Sequence, residues 1–404
     1  MINAAALDVF LHDRRVGSLV RLDGDRSIFS FDRDYVADAA RPTLSLAYKD
    51  SVGGLIDEPR AYRTQIEPFF SNLLPEGALR DFLARRAGVK AIREFPLLAQ
   101  LGEDLPGAVR VVPVDGPLPA PQPVSDEQAA EEIARTMRFS LAGVQLKFSG
   151  IRARGKNGGL AIPVSGTGGD WIVKLPSARH PDVPEAEFAA MTLAGQLGIE
   201  VPEIDLLPLE AIEGLPEGVH RYGQSAYAIR RFDRSLEGPV HIEDFAQVFH
   251  VYPDEKYENA SYRQLLAVLA IETDESSVVE FVRRLTYCVL IGNGDMHLKN
   301  WSLVYPDQRR PILGPAYDLL STVAYLPEDD SALKFHRSRG WDSFTYEELE
   351  AIADKARLPS HLVVSTARET IARFDALWDQ ESRHLPFPRE VVAAIEGHRK
   401  RLPV

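Results

Sequence analysis

Residues 290–303 read LIGNGDMHLKNWSL, in which Asp295, His297, Lys299 and Asn300 fall within six positions between apolar flanks. The flanks predict a buried helix before the stretch and an apolar strand after it, so the polar residues belong to a loop. An Asp followed five residues later by Asn is the spacing by which phosphotransferases set a base against an acceptor hydroxyl and an amide oxygen on Mg2+. Lys299 adds a cation near the developing phosphate charge. The same side chains would also cap an ordinary polar turn, so the loop alone leaves two readings.

Downstream, residues 314–320, GPAYDLL, place Asp318 between apolar neighbours just past a turn. A carboxylate there needs a partner or a metal. Paired with Asn300 it offers hard oxygens suited to Mg2+; alone it would serve as an N-cap. Upstream, WIVKLP (171–176) sets Lys174 in an apolar strand, and Glu187 lies thirteen residues on, in a helix predicted over 184–197. Protein kinases orient a strand lysine toward ATP phosphates in this way. An edge lysine with an unrelated surface glutamate is the alternative.

Residues 139–148, FSLAGVQLKF, form a small-residue turn ahead of a strand, with backbone N–H groups suited to phosphate oxygens. It has neither GxGxxG nor GxxxxGK[ST], and taken alone it is better read as a plain hairpin turn; GTGG at 166–169 reads as such a turn. Residues 228–232 would form a hinge, where Arg230 and Phe232 offer backbone groups to adenine. Turn, lysine strand, glutamate helix, hinge, Asp295 loop and Asp318 follow one another in the order of a bilobal kinase.

The rest of the chain predicts an α+β fold in three parts. Residues 1–112 hold an antiparallel meander over 6–31, broken at 13–15 and 23–25, and a helix after Pro75 ending at Gly88. Residues 113–234 begin in a proline-rich linker over 111–124. A helix is expected from 125, and strands over 143–151, 160–163, 171–175 and 226–232. Residues 235–404 read as mostly helical from 242 onward.

Lys and Arg number 46 against 59 Asp and Glu, a net charge of −13, which disfavours direct binding to nucleic-acid backbone as a primary role. With one cysteine, Cys288, there is no intramolecular disulfide, and its apolar helix face predicts a buried structural thiol. No HExxH is present, and GQSAY at 223–227 lacks the second glycine of a nucleophile elbow. Residues 1–15 lack the basic start and long apolar run of a signal peptide, so a soluble cytoplasmic protein without a membrane span is expected.

The chain resembles the HipA family of bacterial serine/threonine kinases, the toxins of toxin–antitoxin pairs. The resemblance lies in FFSNLLPEGALRDFLARR (69–86), GEDLPGAV (102–109), SLAGVQLK (140–147), WIVKLP, EFAAMTLAGQLGIEVP (187–202), RRFDR (230–234), IGNGDMHLKNWSL and GPAYDLLS (314–321). It implies a kinase-like bilobal fold with an appended N-terminal subdomain. Asp295 and Lys299 would be catalytic, and Asn300 and Asp318 the Mg2+ ligands. Ser140, Ala142, Gly143, Val144, Gln145, Lys147, Lys174, Glu187, Arg230, Phe232 and His297 would line the ATP site. Ser140 falls on the family's autophosphorylated, self-inactivating serine.

The resemblance further implies a HipB-like helix-turn-helix antitoxin dimer as partner, operator DNA contacted mainly through it, and an aminoacyl-tRNA synthetase, commonly the glutamyl enzyme, as substrate. An acidic toxin suits a basic antitoxin. Phe148, Arg230 and His250 depart from the family pattern, where threonine, glutamate and glycine are expected. Two other readings of the same residues are a small-molecule kinase of the aminoglycoside or choline type and a kinase-like corepressor without turnover.

Overall fold

The computed structural model describes residues 5–86, 88–116, 147–152, 160–161, 169–176, 180, 182–213, 215 and 218–404. The helix expected from 125, the Ser140 turn and residues 166–168 of the GTGG turn lie outside the described residues.

Alternation of apolar and polar residues produces β1 (Ala6–Leu11), β2 (Arg14–Leu22) and β3 (Arg26–Phe31), with the breaks where charged residues and Gly24 interrupt it. β4 (Ala61–Arg63) and β5 (Val109–Pro113) complete a sheet of order β4-β3-β2-β1-β5. Residues 111–113 thus pair with β1 instead of opening the proline linker. Val109, Val111 and Pro113 are buried on alternate positions, and the proline sits at the strand end, where a missing N–H is tolerated. Helices Gly77–Arg86 and Glu94–Leu101 belong to the same unit. Its core gathers Leu7, Val9, Leu19, Phe69, Phe70, Leu97 and Leu98, and each such large side chain contributes about 1.5–3 kcal/mol of burial.

β6 (Lys147–Arg152), β7 (Leu160–Ala161), β8 (Trp171–Lys174), β9 (Ile204–Pro208), β10 (Ile212–Glu213) and β11 (Ser225–Arg230) form a second sheet of order β10-β7-β6-β8-β11-β9. The lysine strand β8 is therefore interior, flanked by β6 and β11, and Lys174 faces Lys147 and Tyr227 in register. An edge lysine is excluded. Helix Val183–Gln196 buries Ala186, Ala189, Ala190 and Leu193 in the large C-terminal core rather than only against its sheet.

After a hairpin, β12 (Arg234–Ser235) and β13 (Gly238–Pro239), the chain is mainly helical: Tyr262–Glu272, Glu275–Ile291, Tyr346–Ala356, Ser360–His384 and Arg389–Arg399. A small sheet of β14 (Ile242–Asp244), β15 (Ser302–Val304) and β16 (Ile312–Leu313) interrupts them. Strands of two or three residues are too short for an alternation to show in sequence. Cys288 is buried and free. Among the described residues no helix is long and apolar enough to cross a membrane.

Among the described residues several polar contacts join the N-terminal unit to the rest, and two of them are built on buried carboxylates. Asp233 Oδ2 accepts from the Gly107 N–H at 2.8 Å, Arg231 at 2.8 Å and Arg234 at 2.7 Å, while Arg234 reaches Asp104 at 3.1 Å and the Leu105 carbonyl at 2.9 Å. Burial opposes the Asp233 charge, yet the two arginines hold its carboxyl below the usual range. Gly107 has φ +74°, and an added Cβ would stand 2.9 Å from the Ile242 nitrogen, so this turn requires glycine.

At the second junction fully buried Glu243 accepts from Ser45 Oγ at 2.5 Å, the Leu46 N–H at 3.0 Å and the Tyr305 hydroxyl. Burial raises its carboxyl from the usual 4.5 to about 7, against the three hydrogen bonds. The folded chain therefore keeps a proton that the unfolded chain has released. That contribution to stability is full below about 4.5 and is lost as pH rises through 7. Glu243→Gln cannot ionise, so its unfolding free energy relative to the parent should rise between pH 5 and pH 8, as measured by urea denaturation at both values.

Candidate functional site

Helix Glu275–Ile291 starts at Asp274, whose side chain accepts from the Ser277 N–H at 3.0 Å, and ends at Gly292, φ +65°. A Cβ at Gly292 would come within 2.4 Å of Val323, so only glycine turns the chain here. The turn delivers Asn293, whose Oδ1 accepts from the Asp295 N–H at 3.1 Å. The Asp295 carbonyl in turn accepts from Asn300 Nδ2 at 2.7 Å and from the His297 N–H at 2.9 Å. The loop is thus fixed by its own amides while the Asp295 side chain is exposed among buried neighbours. Its Oδ1 accepts from the Tyr257 hydroxyl at 2.5 Å.

Lys174 and Glu187 are 3% and 2% exposed, burial that charged side chains tolerate only when paired. The Lys174 ammonium donates to both Glu187 and Asp318, and lies 5.5 Å from the Tyr227 ring centre. Burial pulls this lysine down, but the Asp318 and Glu187 charges together hold it above the ordinary lysine range. Asp318 has φ +55°, a conformation few non-glycine residues adopt. Its carbonyl accepts from Asn293 Nδ2 at 3.4 Å, which links the Asp318 turn to the Asp295 loop.

Other residues singled out from the sequence are placed less directly. Lys299 does not join Asp295: its ammonium donates to the Asn72 carbonyl, Asn72 Oδ1 and Asp244 Oδ2, each at 3.0 Å, and faces Glu76 at 3.5 Å. An ammonium has three protons, and these acceptors use them all. Lys299 therefore ties the loop to the N-terminal unit instead of facing phosphate. Asn72 and Glu76 belong to the FSNLLPEG stretch, whose sequence carried no sign of this contact.

Arg230 donates its backbone N–H to the Glu203 carbonyl at 2.8 Å and Arg231 donates to Asp170 at 2.8 Å, so neither N–H is the one adenine would use. Phe232 packs its ring on Tyr317 with centres 5.8 Å apart, one residue from Asp318. His297 is buried, and burial lowers its imidazole below the usual value, keeping it neutral at pH 7. His250 stands at φ +55°, which explains why a glycine would suit that position, and its Nε2 pairs with the Tyr62 hydroxyl at 2.8 Å. Ser140, Ala142, Gly143, Val144 and Gln145, with the side chains of Lys147 and Phe148, lie outside the described residues.

Residues 7–112 match the family model described as the HipA N-terminal domain, and residues 139–378 that described as the HipA-like C-terminal domain. Over 98% of its length the chain is 53% identical to Y4dM of Sinorhizobium fredii, provisionally named a kinase, of which 97% is covered. The serine/threonine-protein kinase toxin HipA of Shewanella oneidensis is 28% identical over 83% of this chain and 82% of its own. A chain of the solved Shewanella oneidensis MR-1 complex of HipA, HipB and operator DNA shares the fold, with TM-score 0.73, 24% identity, and coverage of 98% of this chain and 95% of that one.

Proposed function

The chain belongs to the HipA family of kinase toxins, and from this we propose that it transfers the γ-phosphoryl group of ATP to a serine or threonine of an aminoacyl-tRNA synthetase, commonly the glutamyl enzyme in the family. The observation that carries the reading is the meeting of Lys174, Glu187 and Asp318 beside a loop that presents Asp295 and Asn300. In the proposed mechanism ATP phosphate oxygens replace Asp318 on the Lys174 ammonium, and Glu187 keeps that ammonium oriented. Asp295 accepts the proton of the acceptor hydroxyl as its oxygen bonds to the γ-phosphorus, the bond from that phosphorus to the bridging oxygen breaks and ADP leaves.

The Asn300 amide oxygen and the Asp318 carboxylate are hard oxygen donors, a set that fits Mg2+ shared with phosphates. Asn300 Nδ2 is anchored on the Asp295 carbonyl, which fixes its amide plane and leaves the oxygen end for the cation. When bound there, Mg2+ would neutralise charge on the phosphate oxygens. Asp318 would then exchange a lysine for a metal, and its carboxylate, 23% exposed, is accessible for that exchange.

The proposal extends to the cellular context: a cytoplasmic toxin bound by a HipB-like antitoxin dimer, which carries the contact with operator DNA, and self-inactivated by phosphate on Ser140. The net charge of −13 supports docking to a basic partner. Phosphate on Ser140 would add negative charge to a loop meant to receive phosphate, opposing its closed state. The test incubates the chain with Mg2+, labelled ATP and glutamyl-tRNA synthetase. Label on the synthetase, with loss of aminoacylation, is expected. Label on free sugars or amines instead would overturn the protein-kinase reading.

A further inference from the structure

Tyr257 touches the residue that the proposed mechanism uses as base, and nothing in the sequence pointed to it. It sits in the segment between β14 and helix Tyr262–Glu272, just after the short turn Pro253–Glu255. Its hydroxyl donates to Asp295 Oδ1 at 2.5 Å, the length of a charge-assisted O–H···O− bond. An acceptor hydroxyl about to lose its proton to Asp295 must make this same bond. Tyr257 therefore occupies the hydrogen-bonding position of the substrate.

The segment is held from behind and left open in front. Lys256 donates to Glu76 at 2.8 Å, its carbonyl accepts from the Leu298 N–H at 3.2 Å, and the Tyr257 carbonyl accepts from Arg339. The ring stands edge-on to His297 with centres 5.0 Å apart, yet the residue remains 38% exposed. Burial and the Asp295 charge raise the phenol well above its usual range, so it stays a donor. The backbone is thus anchored, while the hydroxyl's hold on Asp295 is a single bond that an incoming group can replace.

We propose that Tyr257 is a specificity-determining residue on the acceptor side, whose hydroxyl keeps Asp295 occupied until a protein acceptor with enough surrounding contacts displaces it. Water lacks those contacts and is turned away. The reaction suppressed is ATP hydrolysis, in which a water oxygen bonds to the γ-phosphorus, the bond to the bridging oxygen breaks, ADP departs and the water's proton passes to Asp295. A hydrogen bond to a charged group corresponds to about a ten- to hundredfold factor. The inference rests on the reading of Asp295 as the base.

The test compares ADP release by the full chain, Tyr257→Phe, Asp295→Asn and the double variant, with Mg2+-ATP and no protein acceptor. Phenylalanine keeps the ring on His297 and removes only the hydroxyl. Tyr257→Phe should raise basal hydrolysis about tenfold or more in kcat with an unchanged KM for ATP, and Asp295→Asn should abolish the gain in the double variant. Unchanged or lower hydrolysis in Tyr257→Phe overturns the gate; if the parent's turnover still needs Asp295, the base reading stands without it. Turnover that survives in Asp295→Asn overturns the base reading and the gate together.

Discussion

Asp295→Asn should lower phosphoryl transfer by about 10²–10⁴-fold, the range a positioned general base supplies, while leaving unfolding free energy within about 0.5 kcal/mol of the parent. The separation follows from how the residue is held. Its N–H and carbonyl are committed to Asn293, His297 and Asn300, none of which involves the carboxylate. The side chain is exposed, and Asn still accepts from Tyr257 through its amide oxygen. Initial rates of phosphate transfer beside urea denaturation curves check both halves. Comparable losses of rate and stability would mark Asp295 as a structural residue.

Lys174→Met should do the opposite, losing transfer and stability together. Glu187 is 2% exposed, and methionine removes the ammonium that its buried carboxylate accepts from. Breaking a buried pair in this way costs about 3–5 kcal/mol. Adding Glu187→Gln to Lys174→Met should restore part of that stability, since the amide needs no counter-charge, without restoring transfer. Denaturation midpoints of the parent, both single variants and the double variant measure the recovery. A double variant no more stable than Lys174→Met would show that the charge on Glu187 is not what Lys174 neutralises.

Features carried by local periodicity were legible in the sequence. The meander, the apolar strand that carries Lys174 and the helix bearing Glu187 each repeat at a strand or helix spacing and occur where that spacing places them, whereas the interior place of that strand in its sheet rests on pairing with β6 and β11 that no local spacing marks. The Asp295 loop was legible because its polar residues break two apolar elements at once. What stayed hidden depends on residues far apart along the chain. Lys299 reads as a phosphate-facing cation until Asn72, 227 residues earlier, is seen to accept its protons.

The same holds for Glu243, joined to Ser45 across 198 residues, and for Tyr257, joined to Asp295 across 38. No periodicity marks either contact, since each involves one polar group meeting one other. β5 was concealed differently. Its residues are shared with a proline-rich stretch, and the signal of 111–124 as a whole outweighed a strand ending at Pro113.

Phosphoryl transfer by this chain should depend on Asp295, and intact-mass spectrometry of the chain incubated with Mg2+-ATP, beside its Asp295→Asn variant, reads that dependence without any added substrate. The mass of one phosphate should be gained by the parent alone, mapping to Ser140 after peptide digestion. Equal gain in both chains, or none in a parent shown to begin unmodified, would contradict it.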